Sequence, residues 1–189
     1  MRESFLITVL VASSLFAGTS ASERKIDNNA IISERDAKVR ADNKQKEEAM
    51  AEADIRKRVD DWAKAIRAKD IDAVMSFYTP NIVSFDLDPS LRYAGTENKR
   101  RAWQEFFAAH TGPLTYEVSE LNITTQGELA FVHSLNHVKG ALANGHNSDI
   151  WVRWTACFQK IDGAWLIVHD HVSVPADVKH GQAVLNLTQ

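Results

Sequence analysis

The last quarter of the chain constrains the fold more than any other stretch. Within residues 149–175, two runs dense in aromatic and β-branched residues flank Asp162-Gly163. Such residues suit a pleated, half-buried surface and Asp-Gly suits a tight turn, so the pattern predicts a β-hairpin. Period two places His169, His171 and Ser173 on one face of its second strand. Because this row is unusual for a plain hydrophobic core, that face is expected to border a polar cavity or solvent.

Three helical patterns lie in the first half of the predicted domain, with one predicted strand between the second and the third. Apolar residues from Ile55 to Ile66 recur at helical spacing, a short second helix that extends to Tyr78 follows Asp70, and a third follows Thr96, the predicted N-cap. Strands are predicted over residues 82–87, 114–125 and 129–142, ahead of the hairpin. This order predicts an α+β domain in which three N-terminal helices pack on one face of a bent antiparallel sheet.

The N-terminus has the pattern of a secretory signal peptide. Residues 1–21 combine Arg2, an apolar run over residues 5–17 and a small-residue end. The run is shorter than the roughly 20 residues of a membrane span, so we expect export to the periplasm or the exterior without stable membrane insertion. Residues 22–53 are interpreted as a charged linker, disordered or loosely helical, residues 54–175 as the folded domain and residues 176–189 as a tail.

Charge and cysteine content exclude some classes of protein. The formal net charge of −3 gives no electrostatic reason to expect a nucleic acid partner. The single cysteine, Cys157, cannot form an internal disulfide and is interpreted as a small buried residue of a strand.

Three motifs carry a family resemblance: GTENKRRAWQEFF, WVRWTACFQKIDGAW and VHDHVSVP. Together with the order of elements over residues 55–175, they resemble the SnoaL-like branch of the superfamily that contains ketosteroid isomerase and nuclear transport factor 2. The resemblance implies a conical α+β fold, often homodimeric, whose curved sheet and helices enclose an apolar pocket. Since that superfamily includes isomerases, dehydratases, epoxide hydrolases and binding proteins, it leaves the function open.

The resemblance to ketosteroid isomerase can be followed residue by residue. That enzyme uses an aspartate base with an oxyanion hole formed by a tyrosine and a protonated aspartic acid. Asp88, which precedes a proline after the first strand, resembles the base. Trp62 takes the place of the tyrosine, and the strand segment that would supply the acid contains Thr155 and Cys157. Steroid-type isomerase chemistry is not expected, because both oxyanion donors are missing.

Titratable side chains give the candidate catalytic set. Asp86 and Asp88 share one face of the first predicted strand, and His169 and His171 share one face of the last. A carboxylate that reaches a histidine would orient and polarise it, which suits a cofactor-free isomerase or dehydratase. Alternatively, these histidines hydrogen-bond to neighbouring strands. His-x-His with Asp86 could supply three metal ligands, but the spacing is common and no second cluster accompanies it, so no metal site is predicted.

The expected partner is a small apolar or oxygen-rich organic molecule. Arg153 lies between two tryptophans and would favour an acidic or oxygen-rich ligand, although a structural salt bridge is the alternative. A non-catalytic ligand-binding or dimeric assembly module of the same fold remains open beside the enzyme. The candidate ligand-binding residues are Trp62, Tyr93, Trp103, Asn136, Arg153 and Ser173.

Overall fold

A computed structural model describes residues 21–188, with side chains from residue 30 onward. The chain divides into two compact units after Asn43, and each is described by itself. Apart from Ala21, the predicted signal peptide lies outside the described residues. Among the helices of the described part, none is both long and apolar enough to cross a membrane.

Two of the helices in residues 21–188 are long and one is short. They are α1 Ala21–Ala68, α2 Ile71–Met75 and α3 Thr96–Ala109. Residues 22–53, interpreted above as a linker, are helical within α1. Charges of opposite sign four residues apart support this segment, as Glu52 and Arg56 show at 2.9 Å.

The helix ends differ in two places from the sequence-based expectation. Asp70 caps α2 as predicted, because its carboxylate accepts from the backbone N–H of Ala73 at 3.0 Å. The residue that caps α3 is Gly95 and not Thr96, and no side-chain bond closes this end. Tyr78, expected in the second helix, instead begins a strand.

Six strands form one curved sheet. They are β1 Tyr78–Phe85, β2 Tyr93–Ala94, β3 Thr115–Gln126, β4 Leu129–Ala141, β5 Asn147–Ile161 and β6 Ala164–Ser173. Their order in the sheet is β2-β1-β6-β5-β4-β3. The expectation of a purely antiparallel sheet is wrong, because β1 pairs with β6 in parallel. A separate small hairpin, β7 Ala176–Asp177 with β8 Gln182–Ala183, lies in the tail.

A β-bulge in β6 decides which residues of this strand face the core. Cys157 pairs with His169, and the next residue of β5, Phe158, pairs with Ile167, so Val168 is the extra residue. Alternation starting from the buried Ile167 would put His169 on the inner face. The extra residue reverses the alternation, and Asp170 takes the inner face instead, where it is 1% exposed.

The core of the second unit lies between α1 and the inner face of the sheet. Residues that share one face of α1 are fully or almost fully buried, including Ile55, Val59 and Ile66. They belong to the same buried cluster as Trp154 and Phe158 of β5. From Val152 to Phe158 the even-numbered residues of β5 therefore point inward, and the odd-numbered residues point outward.

Candidate functional site

A cavity of about 830 Å³ lies within the second unit. Its walls come from α1, α3, the loop that follows β1, the inner face of the sheet and the C-terminal tail. Apolar and aromatic side chains dominate these walls, as is usual for sites of small organic molecules. The aromatic members of the lining are Trp62, Trp103, Phe106, Tyr116 and Trp154.

Lys99 of α3 forms the polar centre of this cavity. Its side chain is 2% exposed, and its ammonium group donates to Ser84 Oγ at 2.8 Å and Asp86 Oδ2 at 3.0 Å. Asp170 Oδ2 lies 3.2 Å from the same nitrogen. An ammonium group has three N–H donors, so Lys99 uses all of them inside the protein.

The parallel pairing of β1 with β6 assembles this group. The register sets Ser84 directly beside Asp170, and both side chains are buried on the inner face. Asp86 follows β1 with the same parity as Ser84. Lys99 reaches all three from the first turns of α3, so two strands and one helix converge on a single ammonium group.

The charge state of Lys99 follows from two opposing effects. Burial alone would lower its pKa, but the carboxylates of Asp170 and Asp86 outweigh burial, so that the pKa is raised above its ordinary value. The amine is therefore protonated at neutral pH and has no lone pair for nucleophilic attack. Its role is to hold two carboxylates in place.

Asp170 has a second neighbour and one unused oxygen. Tyr78 donates its hydroxyl hydrogen to Asp170 Oδ2 at 3.3 Å, and Trp103 Nε1 donates to the Tyr78 oxygen at 3.3 Å. Burial, followed by the charge of Asp170, raises the pKa of Tyr78 well above its ordinary value, so it remains a neutral donor. Within the described residues, Asp170 Oδ1 is buried without a hydrogen-bond partner.

Asp86 and Asp88 lie at the exposed rim of the same cavity and differ in their environments. Asp86 is oriented by Lys99 and also accepts from the backbone N–H of Leu87 at 3.1 Å. Asp88 makes no salt bridge within residues 21–188. Partial burial, followed by the charges of Asp86 and Glu105, raises its pKa. Asp88 therefore takes up a proton more readily than an ordinary aspartate does.

A chain of buried hydrogen bonds leads to Tyr116, whose hydroxyl group, like that of Tyr78, is a neutral donor. Ser134 Oγ donates to Asn136 Oδ1 at 2.7 Å, and Asn136 Nδ2 donates to the Tyr116 hydroxyl at 3.0 Å. Asn136 lies behind Tyr116, which itself lines the cavity. Burial strongly raises the pKa of Tyr116. Its phenol is thus neutral, and in the described part of the chain its O–H hydrogen is uncommitted.

The structure does not bring His169 and His171 to the cavity, where an Asp-His pair was expected. The bulge at Val168 places both on the outer face of the sheet, together with Ser173 and Arg153, which also lie away from the cavity. His169 Nδ1 donates to the carbonyl oxygen of Val83 on the neighbouring strand at 2.7 Å. Lys99 thus takes the place next to Asp86 that a histidine was expected to occupy.

Some of the other site residues predicted from the sequence line the cavity and some do not. Trp62 and Trp103 line the cavity, together with Asp86 and Asp88, whereas Tyr93 lies in the short strand β2 outside the lining. Their roles in binding or catalysis stay predictions. Among residues 21–188, no group of three or more His, Cys, Asp or Glu side chains is arranged to hold a metal ion.

Sequence reasoning missed Lys99, Asp170, Tyr78 and Tyr116. A signal for Lys99 was present, because it lies four residues before Trp103 and seven before Phe106 and hence on the same helical face. Asp170 was hidden by the unforeseen bulge. No sequence signal distinguished the two tyrosines from ordinary core aromatics.

Comparison with known proteins assigns the family. The family model described as "SnoaL-like domain" matches residues 55–177, the part of the chain that builds the large sheet and all of the cavity lining except the contribution of the tail. A nuclear transport factor 2-like protein from Pseudomonas putida KT2440 is 27% identical, with a TM-score of 0.68 over 75% of this chain and 98% of that one. No curated protein matches significantly.

Two further solved structures share the fold at lower identity. One is a ketosteroid isomerase-like protein from Erwinia carotovora atroseptica SCRI1043, 21% identical, with a TM-score of 0.57 over 64% of this chain and 93% of that one. The other, from Novosphingobium aromaticivorans DSM 12444, is named as a candidate scytalone dehydratase and is 11% identical, with a TM-score of 0.61 over 68% of this chain and 86% of that one. The α+β fold and the match over most of the domain agree, and the chain belongs to the SnoaL-like family of the nuclear transport factor 2-like superfamily.

Proposed function

We propose that this protein binds a small organic molecule in the cavity and catalyses proton transfer on it, as an isomerase or a dehydratase does. The observation that carries the proposal is the environment of Asp88. Its carboxyl group lies at the rim of an apolar cavity, has no salt-bridge partner among the described residues and has a raised pKa. A general base or acid works best when its pKa is moved toward the working pH.

The neighbouring groups would support such chemistry. Asp86, held by Lys99, places a fixed negative charge near Asp88 and so favours the protonated form of Asp88. Tyr116 is a neutral donor in the wall of the cavity. A donor of this kind would stabilise negative charge that develops on a carbonyl or hydroxyl oxygen during the reaction.

Two of the related structures carry names of this class of reaction. The solved structures of the same fold include one named as ketosteroid isomerase-like and one named as a candidate scytalone dehydratase. At 21% and 11% identity they share the fold, and the assignment of chemistry to this chain rests on its own residues.

A non-catalytic binding module is the second proposal, and Lys99 favours it. All three donors of this ammonium group are bonded inside the protein, so it is not free to act as a cationic electrophile. In this alternative the carboxylates and Tyr116 recognise the ligand without transferring a proton. Deciding between the two proposals requires an assay that measures binding and turnover separately.

The experiment is a proton-exchange assay in D2O with a panel of β-hydroxy ketones and β,γ-unsaturated ketones. We expect the protein to accelerate α-proton exchange or product formation for at least one member. Asp88→Asn should lower that rate by about 100-fold or more, the usual contribution of a general acid or base. Asp60→Asn, at an exposed position of α1, is the matched control. A ketone that binds without faster exchange would select the binding module.

A homodimer is the third proposal, and the outer face of the sheet favours it. Phe85 and Phe131 point outward from β1 and β4 and are 41% and 48% exposed. Large apolar side chains exposed on one face of a sheet are candidates for burial in a subunit interface. Light scattering should report twice the monomer mass for the parent and a shift toward monomer for Phe131→Glu. A monomeric parent would contradict this proposal.

A further inference from the structure

We propose that the ligand of this cavity is an organic cation, a protonated amine carried on an apolar or aromatic body. The inference rests on the proposed function, in that it presumes a small molecule in the cavity, and it adds the charge of that molecule. Three separate features of the lining support it: the balance of charges, one unpartnered buried oxygen and the aromatic wall.

The charge balance of the lining is strongly acidic. Among the described residues that line the cavity there are five carboxylates and one ammonium group, that of Lys99. Lys99 is shared between Asp86 and Asp170. Asp149 is compensated from outside the cavity, since its oxygens lie 2.7 Å from His137 and 3.0 Å from Lys139.

Two carboxylates at the rim remain uncompensated. Asp88 and Glu105 both line the cavity and make no salt bridge within residues 21–188. Partial burial, followed by the charges of Asp86 and Glu105, raises the pKa of Asp88. A cation placed between Asp88 and Glu105 would relieve this repulsion, whereas an anion would add to it.

Asp170 supplies an acceptor that no protein group uses. Its side chain lines the cavity and is 1% exposed, and Oδ1 has no partner in the described part of the chain. A buried carboxylate oxygen without a donor is costly, so nearly all such atoms in folded proteins are satisfied by a protein group, a water or a ligand. An ammonium N–H is the strongest type of donor for a carboxylate.

The aromatic wall suits the same ligand. Trp103 and Phe106 of α3 both line the cavity, with ring centroids 5.5 Å apart. Lys99 Nζ lies 5.6 Å from the centroid of Trp103, so this ring already borders a cation. Aromatic faces attract cations within about 6 Å, and aromatic walls combined with carboxylates recur in sites that recognise amines.

A neutral or anionic ligand fits these features less well. No free cationic side chain lines the cavity in residues 21–188, because the donors of Lys99 are used internally. The remaining basic group, His110, has both ring nitrogens in hydrogen bonds, to the Phe106 carbonyl oxygen at 2.8 Å and to Ser148 Oγ at 3.1 Å. An anion would therefore meet carboxylates without a compensating donor.

The test uses three probes that share a phenyl body and differ in charge: 2-phenylethylammonium, 2-phenylethanol and 3-phenylpropanoate. Binding to the full chain is measured by calorimetry and by quenching of tryptophan fluorescence. We expect the ammonium probe to bind at least about tenfold more tightly than the alcohol, and the carboxylate probe to bind most weakly. Added salt should weaken binding of the ammonium probe and leave the alcohol unaffected.

A pair of variants assigns the preference to the rim. Asp88→Asn combined with Glu105→Gln should reduce the preference for the ammonium probe to about threefold or less, without weakening the alcohol. Asp60→Asn should leave all three affinities unchanged. Equal or tighter binding of the alcohol or the carboxylate probe would overturn the inference and leave the proposed function standing. If none of the three binds, small-molecule binding itself fails, and the inference fails with it.

Discussion

Removing the ammonium group of Lys99 is the most direct test of the buried network. Lys99→Met keeps an unbranched apolar side chain but leaves Asp170, which is 1% exposed, with only the hydrogen bond from Tyr78. Removing one partner of a buried ion pair costs about 3–5 kcal/mol of unfolding free energy, because the other charge is left buried without compensation. Exposed ion pairs contribute only about 0–1 kcal/mol.

Lys64→Met is the matched control for this change. Lys64 lies 3.0 Å from Asp61 on the surface of α1, and its side chain is 65% exposed. Both variants lose one lysine, but Lys99→Met loses the ion pairs with Asp86 and Asp170 whereas Lys64→Met loses only the pair with Asp61. The difference between them therefore reports the effect of burial together with one additional, partly buried pair. Urea unfolding at pH 7, followed by tryptophan fluorescence, gives the free energies. With a slope of about 2 kcal/mol per molar urea, the midpoint of Lys99→Met should fall by about 1.5–2.5 M.

A double variant separates two costs of removing Lys99: the lost attraction between Lys99 and Asp170, and the buried carboxylate of Asp170 that is left without a counter-charge. Lys99→Met combined with Asp170→Asn removes both buried charges and keeps an acceptor near Tyr78. We expect the double variant to recover at least half of the loss, because no uncompensated carboxylate remains in the core. The reasoning is refuted if Lys99→Met is no less stable than Lys64→Met, or if the double variant is less stable than the single one.

Three further predictions concern the same site. Asp88→Asn should be more stable than the parent at neutral pH, by less than about 1 kcal/mol, and this difference should disappear in acid. The reason is that a carboxyl group whose pKa is raised in the folded state destabilises the fold as the pH rises through that pKa. Unfolding measured at pH 3 and at pH 7 tests this. Asp86→Asn should lower the pKa of Asp88, but not to the ordinary value of an aspartate, because the contribution of burial remains. Carbon-detected NMR titration measures this pKa, and an unchanged value would contradict the prediction. Ser84→Ala should cost about 1–3 kcal/mol in urea unfolding, because one donor of Lys99 loses its acceptor, and a neutral result would contradict the geometry.

Much of the architecture could be predicted because it depends on local patterns. The Asp162-Gly163 turn, the alternation along β5 and the apolar face of α1 around Ile55 and Val59 are all visible in short windows of sequence. The parallel pairing of β1 with β6 could not be found in this way. It joins segments more than eighty residues apart, and nothing within either strand specifies the direction of its partner.

The inner face of β6 could not be predicted for a related reason. Alternation is a reliable guide only while each residue of a strand pairs with one residue of its neighbour. The extra residue Val168 breaks that correspondence, so the face that holds Ile167 continues with Asp170 and not with His169. Because of this one-residue bulge, the inner face of β6 holds the carboxylate of Asp170 and not the predicted pair of histidines.

Lys99 shows a different limit of sequence reasoning. A lysine on the apolar face of a helix is ordinarily taken to extend its stem along the core and to expose its charge to water. In this protein Lys99 lies in the first turn of α3, and the carboxylates of Asp86 and Asp170 lie 3.0 Å and 3.2 Å from its ammonium nitrogen. Only the assembled fold supplies the counter-charges that make burial of this ammonium group possible.

The buried network is better explained by the site than by stability. Replacing a buried ion pair with apolar residues of similar volume is often neutral or stabilising, so stability alone does not call for Lys99 between two carboxylates. The network also leaves Asp170 Oδ1 unpartnered, a cost that a core built only for packing would avoid. The network holds Asp86 beside Asp88 and leaves the cavity with an excess of negative charge. Proton transfer by Asp88 and recognition of a cation both depend on that excess. We therefore propose that the same side chains serve both.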